Sequence, residues 1–104
     1  MSEGFVKVGI LADFPSGSMK KIEVAGEDVL VANVAGKLYA ISDTCTHRGC
    51  SLSAGELDGA VVVCPCHGGR FDLETGKVVS QPPKEDETSY EVRVQDSEVM
   101  LRKR

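Results

Sequence analysis

All four cysteines and both histidines of this chain lie in one short stretch, from Cys45 to His67. Five of these six residues form two groups, Cys45-Thr46-His47 and Cys64-Pro65-Cys66-His67, which sixteen residues separate, and Cys50 lies between the groups. The two groups present the thiolates and imidazoles that bind transition metals in proteins. A secreted disulfide scaffold would explain four cysteines in a short chain, but not their interleaving with the only histidines. The pattern therefore predicts a metal centre held between two loops.

Several kinds of metal centre are compatible with these residue types. Zinc binds two cysteines and two histidines tetrahedrally, usually with a C-x-x-C pair that the C-x-H group lacks. An all-cysteine iron–sulfur cluster would have to recruit Cys50 and Cys66. A two-iron, two-sulfur cluster of the Rieske type carries two cysteines on one iron and two histidines on the other. Each group can offer one thiolate and one imidazole, at C-x-H spacing in the first and C-x-x-H spacing in the second, and this paired arrangement favours the last centre.

The residues around both groups resemble the two cluster-binding boxes of Rieske proteins. The first box is Cys45-Thr46-His47-Arg48-Gly49-Cys50, and the second is Cys64-Pro65-Cys66-His67-Gly68-Gly69. The resemblance continues at Phe71-Asp72 and at Pro82-Pro83. It implies one [2Fe-2S] cluster per chain, with Cys45 and Cys64 on the inner iron and His47 and His67 on the outer, more exposed iron.

The same resemblance assigns roles to residues beside the ligands. Cys50 and Cys66 match the cysteines that form a disulfide between the boxes of respiratory Rieske subunits; two free thiols are the alternative in a reducing cytosol. Gly49, Gly68 and Gly69 let backbone N–H groups approach the cluster sulfurs or form tight turns, and the two roles are compatible because a tight turn brings the amides inward. Pro82 belongs to a segment that resembles the proline loop covering the cluster, or is part of an ordinary stiff loop.

Two positions after the second box bear on the reduction potential. High-potential respiratory members of the family carry a Ser and a Tyr there, which donate hydrogen bonds to sulfur. This chain has Gly69 and Phe71 instead, and neither side chain is a donor. Because hydrogen bonds around the cluster raise the potential, we predict a value in the lower part of the Rieske range of about −150 to +300 mV.

Alternating apolar and polar residues, interrupted by turn residues, predict a nearly all-β chain. With the resemblance, this indicates a Rieske-like antiparallel β-sandwich base with an inserted cluster-binding subdomain. We expect a single domain over residues 1–104, with the base in 1–42 and 81–104 and the cluster-binding segment in 43–80. The polar stretch 84–88 is predicted to be a solvated loop. The predicted strands are Phe5–Ile10, Lys20–Val24, Val29–Val34, Lys37–Ile41, Ala60–Cys64, Gly69–Asp72, Lys77–Val79, Ser89–Val94 and Val99–Arg102.

Charge and hydropathy narrow the range of partners. The 104 residues include 12 basic and 16 acidic side chains, for a net charge of −4, which argues against nucleic-acid binding. No apolar run approaches the roughly 20 residues that span a bilayer. We therefore expect a cytoplasmic monomer without a membrane partner. Arg48 and Arg70 flank the ligands, either as part of a docking surface or as ordinary solvated residues.

These observations predict an electron-transfer protein rather than an enzyme. A self-contained oxygenase would need a second iron, usually held by two histidines and a carboxylate, but both histidines are already assigned to the cluster. The resemblance implies a soluble one-electron carrier between a flavoprotein reductase and an oxygenase or other redox enzyme. The alternative is an accessory or redox-sensing subunit of a reductase complex, similar to the small subunit of nitrite reductase.

Overall fold

The computed structural model of the chain describes residues 4–44, 50–66, 68–80 and 86–103. Within these ranges the regular structure is β-strand apart from two short 3-10 segments, Leu11–Asp13 and Leu52–Ala54. The strands form two antiparallel sheets, which confirms the predicted all-β fold class. In chain order they are β1 (Val6–Ile10), β2 (Met19–Val24), β3 (Glu27–Val34), β4 (Lys37–Ser42), β5 (Glu56–Asp58), β6 (Val61–Val63), β7 (Arg70–Asp72), β8 (Val78–Ser80), β9 (Ser89–Gln95) and β10 (Glu98–Lys103).

The larger sheet contains six strands in the order β1-β10-β9-β4-β3-β2. Its three hairpins turn at Ala25-Gly26, Ala35-Gly36 and Asp96-Ser97, and both residues of each turn have positive φ. Two successive residues with positive φ make the type I′ turn, whose twist matches that of the flanking strands. Local turn chemistry therefore sets the register of these three hairpins.

The six-stranded sheet encloses a core of its own. The edge strands β1 and β2 come into contact, so the sheet curls, and all six strands contribute side chains to the enclosed core. β3 is buried on both faces, because Val29 and Val31 enter this core while Leu30 and Ala32 point to the opposite side. The enclosed core consists of Phe14, Val29, Val31, Leu38, Ala40, Tyr90, Val99 and Leu101.

The smaller sheet contains four strands in the order β5-β6-β7-β8, each of three residues. It packs on the outer face of the six-stranded sheet through a second core, which we call the shared core. β5 was not among the strands predicted from the sequence, because Glu56-Leu57-Asp58 has too short an alternation to be distinctive. The shared core consists of Leu30, Ala32, Ile41, Leu52, Val62, Cys64, Phe71 and Leu73.

The prediction of a solvated loop over 84–88 is wrong at Glu87, which is buried. Its N–H donates to the Gly76 carbonyl at 2.7 Å. Gly76 has a φ of 79°, and a Cβ at this position would lie 2.2 Å from the Glu87 carbonyl oxygen. Glycine at 76 thus lets the segment leading into β9 lie against the turn that precedes β8.

Candidate metal centre

The structure describes one of the four predicted ligands. Cys64 follows β6 directly, and its side chain belongs to the shared core, with 3% of the residue exposed. Cys45, His47 and His67 lie outside the described residues, as do Gly49 and Pro82. The geometry of the site therefore rests on Cys64 and on the segments that flank the other ligands.

The second ligand loop runs from Cys64 to Gly69 and connects β6 to β7. The Cys64 N–H donates to the Gly69 carbonyl at 2.7 Å, and the Gly68 N–H donates to the Cys64 carbonyl at 3.1 Å. Gly68 has a φ of 72°, which an L residue rarely adopts. The turn explanation therefore accounts for glycine at position 68, and hydrogen bonds at both ends hold this loop closed.

Cys50 and Cys66 form the disulfide that the resemblance implies, with their Cα atoms 6.5 Å apart. The sulfur atoms of Cys50, Cys64 and Cys66 all lie within 4.8 Å of one another. Cys50 is half-buried and Cys66 is exposed, so the bridge lies toward the surface and Cys64 beneath it. The disulfide fixes the end of the first ligand loop to the second.

Asp43 and Thr44 bring the two ends of the first ligand loop together. Thr44 and Ser51 form an antiparallel bridge across the loop. Behind it, the buried Asp43 carboxylate accepts hydrogen bonds from the Ser51 hydroxyl and from the Ser53 N–H. The sequence carries only a weak signal for this carboxylate, an Asp immediately after a strand, opposite two serines that follow the loop.

The described donor atoms fit a cluster with mixed ligands. Among the described cysteines Cys64 alone carries a free thiol, because the other two are joined in the disulfide. The disulfide thus removes Cys50 and Cys66 as candidates for an all-cysteine cluster. A cleft of about 340 Å³ adjoins Cys64; its lining comprises Ala54, Gly55, Glu56, Val63, Cys64, Pro65 and Gly68.

The side chains after the second loop add no hydrogen-bond donor to the site. Gly69 is buried and has no side chain to offer, and Phe71 is 0% exposed within the shared core. Arg70 forms a salt bridge with Asp58, with 2.7 Å between Nη1 and Oδ2, and both side chains are exposed. Exposed pairs of this kind contribute little to stability, so the pair between Arg70 and its neighbour on β5 adds little to the fold.

No helix in the described part of the chain is long and apolar enough to cross a membrane.

Comparison with known proteins extends the likeness to the whole chain. The family model for the Rieske [2Fe-2S] domain matches residues 4–98. A ferredoxin component of naphthalene 1,2-dioxygenase/salicylate 5-hydroxylase systems from Ralstonia sp. is 34% identical over 98% of both chains. Ferredoxin CarAc from Metapseudomonas resinovorans is 39% identical over 97% of this chain and 95% of its own length.

A solved structure shows the same fold. It is described as the complex of reduced oxygenase and oxidized ferredoxin in carbazole 1,9a-dioxygenase. One chain of that complex matches with a TM-score of 0.90 and 36% sequence identity, covering 99% of this chain and 98% of its own length. The arrangement of the two sheets is thus shared with that protein over nearly the full length of both chains.

Proposed function

Because this chain belongs to the Rieske [2Fe-2S] domain family, we propose that it is a one-electron carrier that receives electrons from a flavoprotein reductase and passes them to an oxygenase. The observation that carries the proposal is the full-length similarity to ferredoxin components of dioxygenase systems. Those names also favour a carrier over an accessory or redox-sensing subunit. A cytoplasmic monomer is part of the proposal.

The proposed ligands are Cys45 and Cys64 on the inner iron and His47 and His67 on the outer iron. The cluster would supply one-electron redox chemistry. The burial of Cys64 supports its role at the inner end, because the shared core holds its side chain away from water. The disulfide and the hydrogen bonds within the second loop support the other three proposed ligands, since they hold the two ligand-bearing segments side by side.

We further propose that the two sheets have different roles in the protein. The base, residues 1–42 and 81–104, would act as a rigid support, and the segment 43–80 would bind the cluster. The six-stranded sheet draws its described strands from the base, and the four-stranded sheet draws all its strands from the segment. This division would let the ligand loops accept and release an electron with little movement of the chain beneath them.

Anaerobic reconstitution with iron and sulfide tests the ligand assignment. We expect two irons per wild-type chain and a low-temperature EPR signal after one-electron reduction, and we expect Cys64→Ser to lose both. The double variant Cys50→Ser, Cys66→Ser is the matched control, because it changes sulfurs of the same group without removing a proposed ligand. A Cys64→Ser protein with full iron content and an unchanged signal would contradict the assignment.

Stopped-flow mixing tests the electron-transfer function. An NAD(P)H-dependent flavoprotein reductase should reduce the loaded protein rapidly, and an aromatic-ring oxygenase with its substrate should then oxidise it. Redox-dependent binding to a partner, without onward electron transfer, would instead identify a sensing subunit.

The proposed low potential has its own test. Gly69→Ser with Phe71→Tyr introduces the two hydroxyl donors that the chain lacks, so the midpoint potential should rise. Phe71 is buried, so Gly69→Ala with Phe71→Leu serves as a control for disturbed packing. Voltammetry that finds no rise beyond this control would refute the explanation.

A further inference from the structure

Asp43 is one of three polar or charged side chains that are buried among the described residues, and 2% of it is exposed. A buried carboxylate is costly unless hydrogen bonds or opposite charges compensate for the lost water. The described residues provide it with neutral donors and with no ion pair. Its hydrogen bonds therefore have to compensate for this cost, and the segments that they join indicate its role.

Each of the following hydrogen bonds joins Asp43 either to β3 or to the segment on the far side of the first ligand loop. Oδ2 accepts from the Ser51 hydroxyl, and Oδ1 accepts from the Ser53 N–H at 2.8 Å. The Asp43 carbonyl accepts from the Leu52 N–H at 2.7 Å, and the Asp43 N–H donates to the Asp28 carbonyl at 3.0 Å. One residue therefore connects β3 to both ends of the loop.

The loop that these bonds close contains two of the proposed ligands. Thr44 and Ser51 pair at the two ends of this loop, which consists of residues 45–50. Cys45 and His47 are therefore part of the loop. Ser51 adjoins Cys50, whose disulfide reaches Cys66 in the second loop. The carboxylate of Asp43 thus acts on the relative position of both ligand loops, through Ser51 and the disulfide.

We propose that Asp43 is a positioning residue that closes the first ligand loop and so fixes Cys45 and His47 for cluster binding. This inference rests on the proposed ligand set. The reason for a carboxylate is geometric: its two oxygens accept at once from two donors of the segment that follows the loop, the Ser51 hydroxyl and the Ser53 backbone amide. Alanine removes both acceptors, whereas asparagine keeps the shape.

Asparagine at position 43 separates geometry from charge. Its Oδ1 can accept from the Ser53 N–H, and its Nδ2 can donate to the Ser51 oxygen. The Ser51 hydroxyl is then free to donate to the Ser53 hydroxyl, which lies 2.9 Å away. Asp72→Ala is the matched control, because the Asp72 carboxylate also accepts a backbone N–H, that of Glu74, but lies on β7 rather than beside the first loop.

The first measurement is iron release to a chelator from the reconstituted proteins. We expect Asp43→Ala to lose iron at least tenfold faster than wild type, with a broadened EPR signal. The rate of iron release from Ser51→Ala should lie between those of wild type and Asp43→Ala. The rates of Asp43→Asn and Asp72→Ala should stay within about threefold of wild type. Equal rates and line shapes for wild type, Asp43→Ala and Ser51→Ala would overturn the proposal. An Asn variant as fast as the Ala variant would also overturn it, since charge alone would then explain the effect.

The second measurement does not need the cluster. In cluster-free protein, Asp43→Ala should accelerate hydrogen exchange at the Leu52 and Ser53 amides, whereas Asp72→Ala should not. If wild type fails to bind a cluster, the proposed function fails, yet exchange still tests loop closure. If wild type binds a cluster, and Asp43→Ala has the same hydrogen-exchange rates and the same rate of iron release as wild type, then only the role of Asp43 is contradicted. Should Asp43→Ala not fold, Ser51→Ala decides the question with the same two readouts.

Discussion

The two sheets of this molecule are stabilised in different ways. The six-stranded sheet has strands of five to eight residues, tight local hairpins and an enclosed core. The four-stranded sheet has strands of three residues, packs with one core on the larger sheet, and is joined to the first ligand loop by a disulfide. Local hairpins and a core of its own stabilise the first sheet, whereas the second depends on the shared core and on a few specific links. The ligands are thus carried by the part of the chain with the weaker local structure.

The largest expected effect comes from removing the aromatic side chain that joins the two sheets. Phe71 is fully buried in the shared core, so Phe71→Ala should reduce the free energy of unfolding by about 3 to 5 kcal/mol. Denaturant unfolding measures the loss. Hydrogen exchange locates it: amides of β6 and β7 should lose protection before those of β3 and β4.

A base-core variant shows whether this asymmetry is real. Leu101 is buried in the enclosed core, so Leu101→Ala should lower protection in both sheets, because the smaller sheet rests on the larger. The comparison between the sheets is wrong if Phe71→Ala weakens β3 and β4 as much as β6 and β7.

The disulfide should have the next largest effect. Its two cysteines are separated by 16 positions. Closing a loop of that length is expected to contribute about 3 kcal/mol through the unfolded chain. Cys50→Ala with Cys66→Ala should therefore lower the free energy of unfolding by about that amount, measured by denaturant unfolding. Wild-type protein treated with a dithiol reductant is the control for lost packing of the sulfurs. A loss of protection spread evenly over both sheets would contradict a local role for the bridge.

The sequence predicts the local part of this structure well. The turns at Ala25-Gly26 and Ala35-Gly36 are encoded by their own residues, so the hairpins that they form follow directly. The pairing of β1 with β10, the two ends of the chain, depends on contacts across the whole molecule and has no local signal. β5 is a strand because β6 lies beside it, and its own three residues carry too little alternation to show this.

The candidate site divides in the same way. Its ligand set follows from the spacing of Cys and His and from the resemblance, because the chemistry requires those residue types. The resemblance implies a disulfide between Cys50 and Cys66, with free thiols as the alternative, and the structure contains the disulfide. The buried carboxylate of Asp43 could not be predicted, since an Asp after a strand is usually solvated. Its burial depends on how residues 51–53 fold back, which is a tertiary effect.

Asn33 tests whether the base has a polar link that serves stability alone. Its Nδ2 donates to the Phe14 carbonyl at 2.6 Å, and its Oδ1 accepts from the Gly36 N–H at 2.8 Å. Asn33→Ala leaves a buried carbonyl unpaired and should cost about 1 to 3 kcal/mol in unfolding experiments. Ser18→Ala is the control, because the Ser18 hydroxyl donates to a carbonyl at an exposed site and should matter far less.

The same variant sharpens the contrast with Asp43. Both side chains are buried and both connect segments of chain, but Asn33 lies in the base and Asp43 lies beside the first ligand loop. Asn33→Ala should therefore leave the rate of iron release unchanged under conditions where the protein is fully folded. Faster iron release in this variant would mean that the base and the ligand loops are not separable in the way we describe.

The smallest expected effect is a pH dependence confined to the base. Burial raises the pKa of Tyr90 to about 12, assisted by the hydrogen bond that its hydroxyl donates to Glu27 and by the negative charge of that carboxylate. An unfolded tyrosine has a pKa of about 10, so the folded chain keeps this proton between about pH 10 and pH 12 while the unfolded chain releases it. The stabilisation is therefore fully present below about pH 10 and is lost as the pH rises toward 12.

Absorbance of tyrosinate measures this titration directly. The chain has two tyrosines, so Tyr39→Phe leaves Tyr90 as the only absorbing phenol, and we expect its midpoint near pH 12. Glu27→Gln should lower the midpoint only in part, because burial is the larger cause. In unfolding experiments between pH 9 and pH 12, Tyr90→Phe should remove a pH-dependent loss of about 1 kcal/mol after solvent screening. A midpoint near that of a free tyrosine would show that water reaches the Tyr90 phenol. The enclosed core would then be open to solvent at β9.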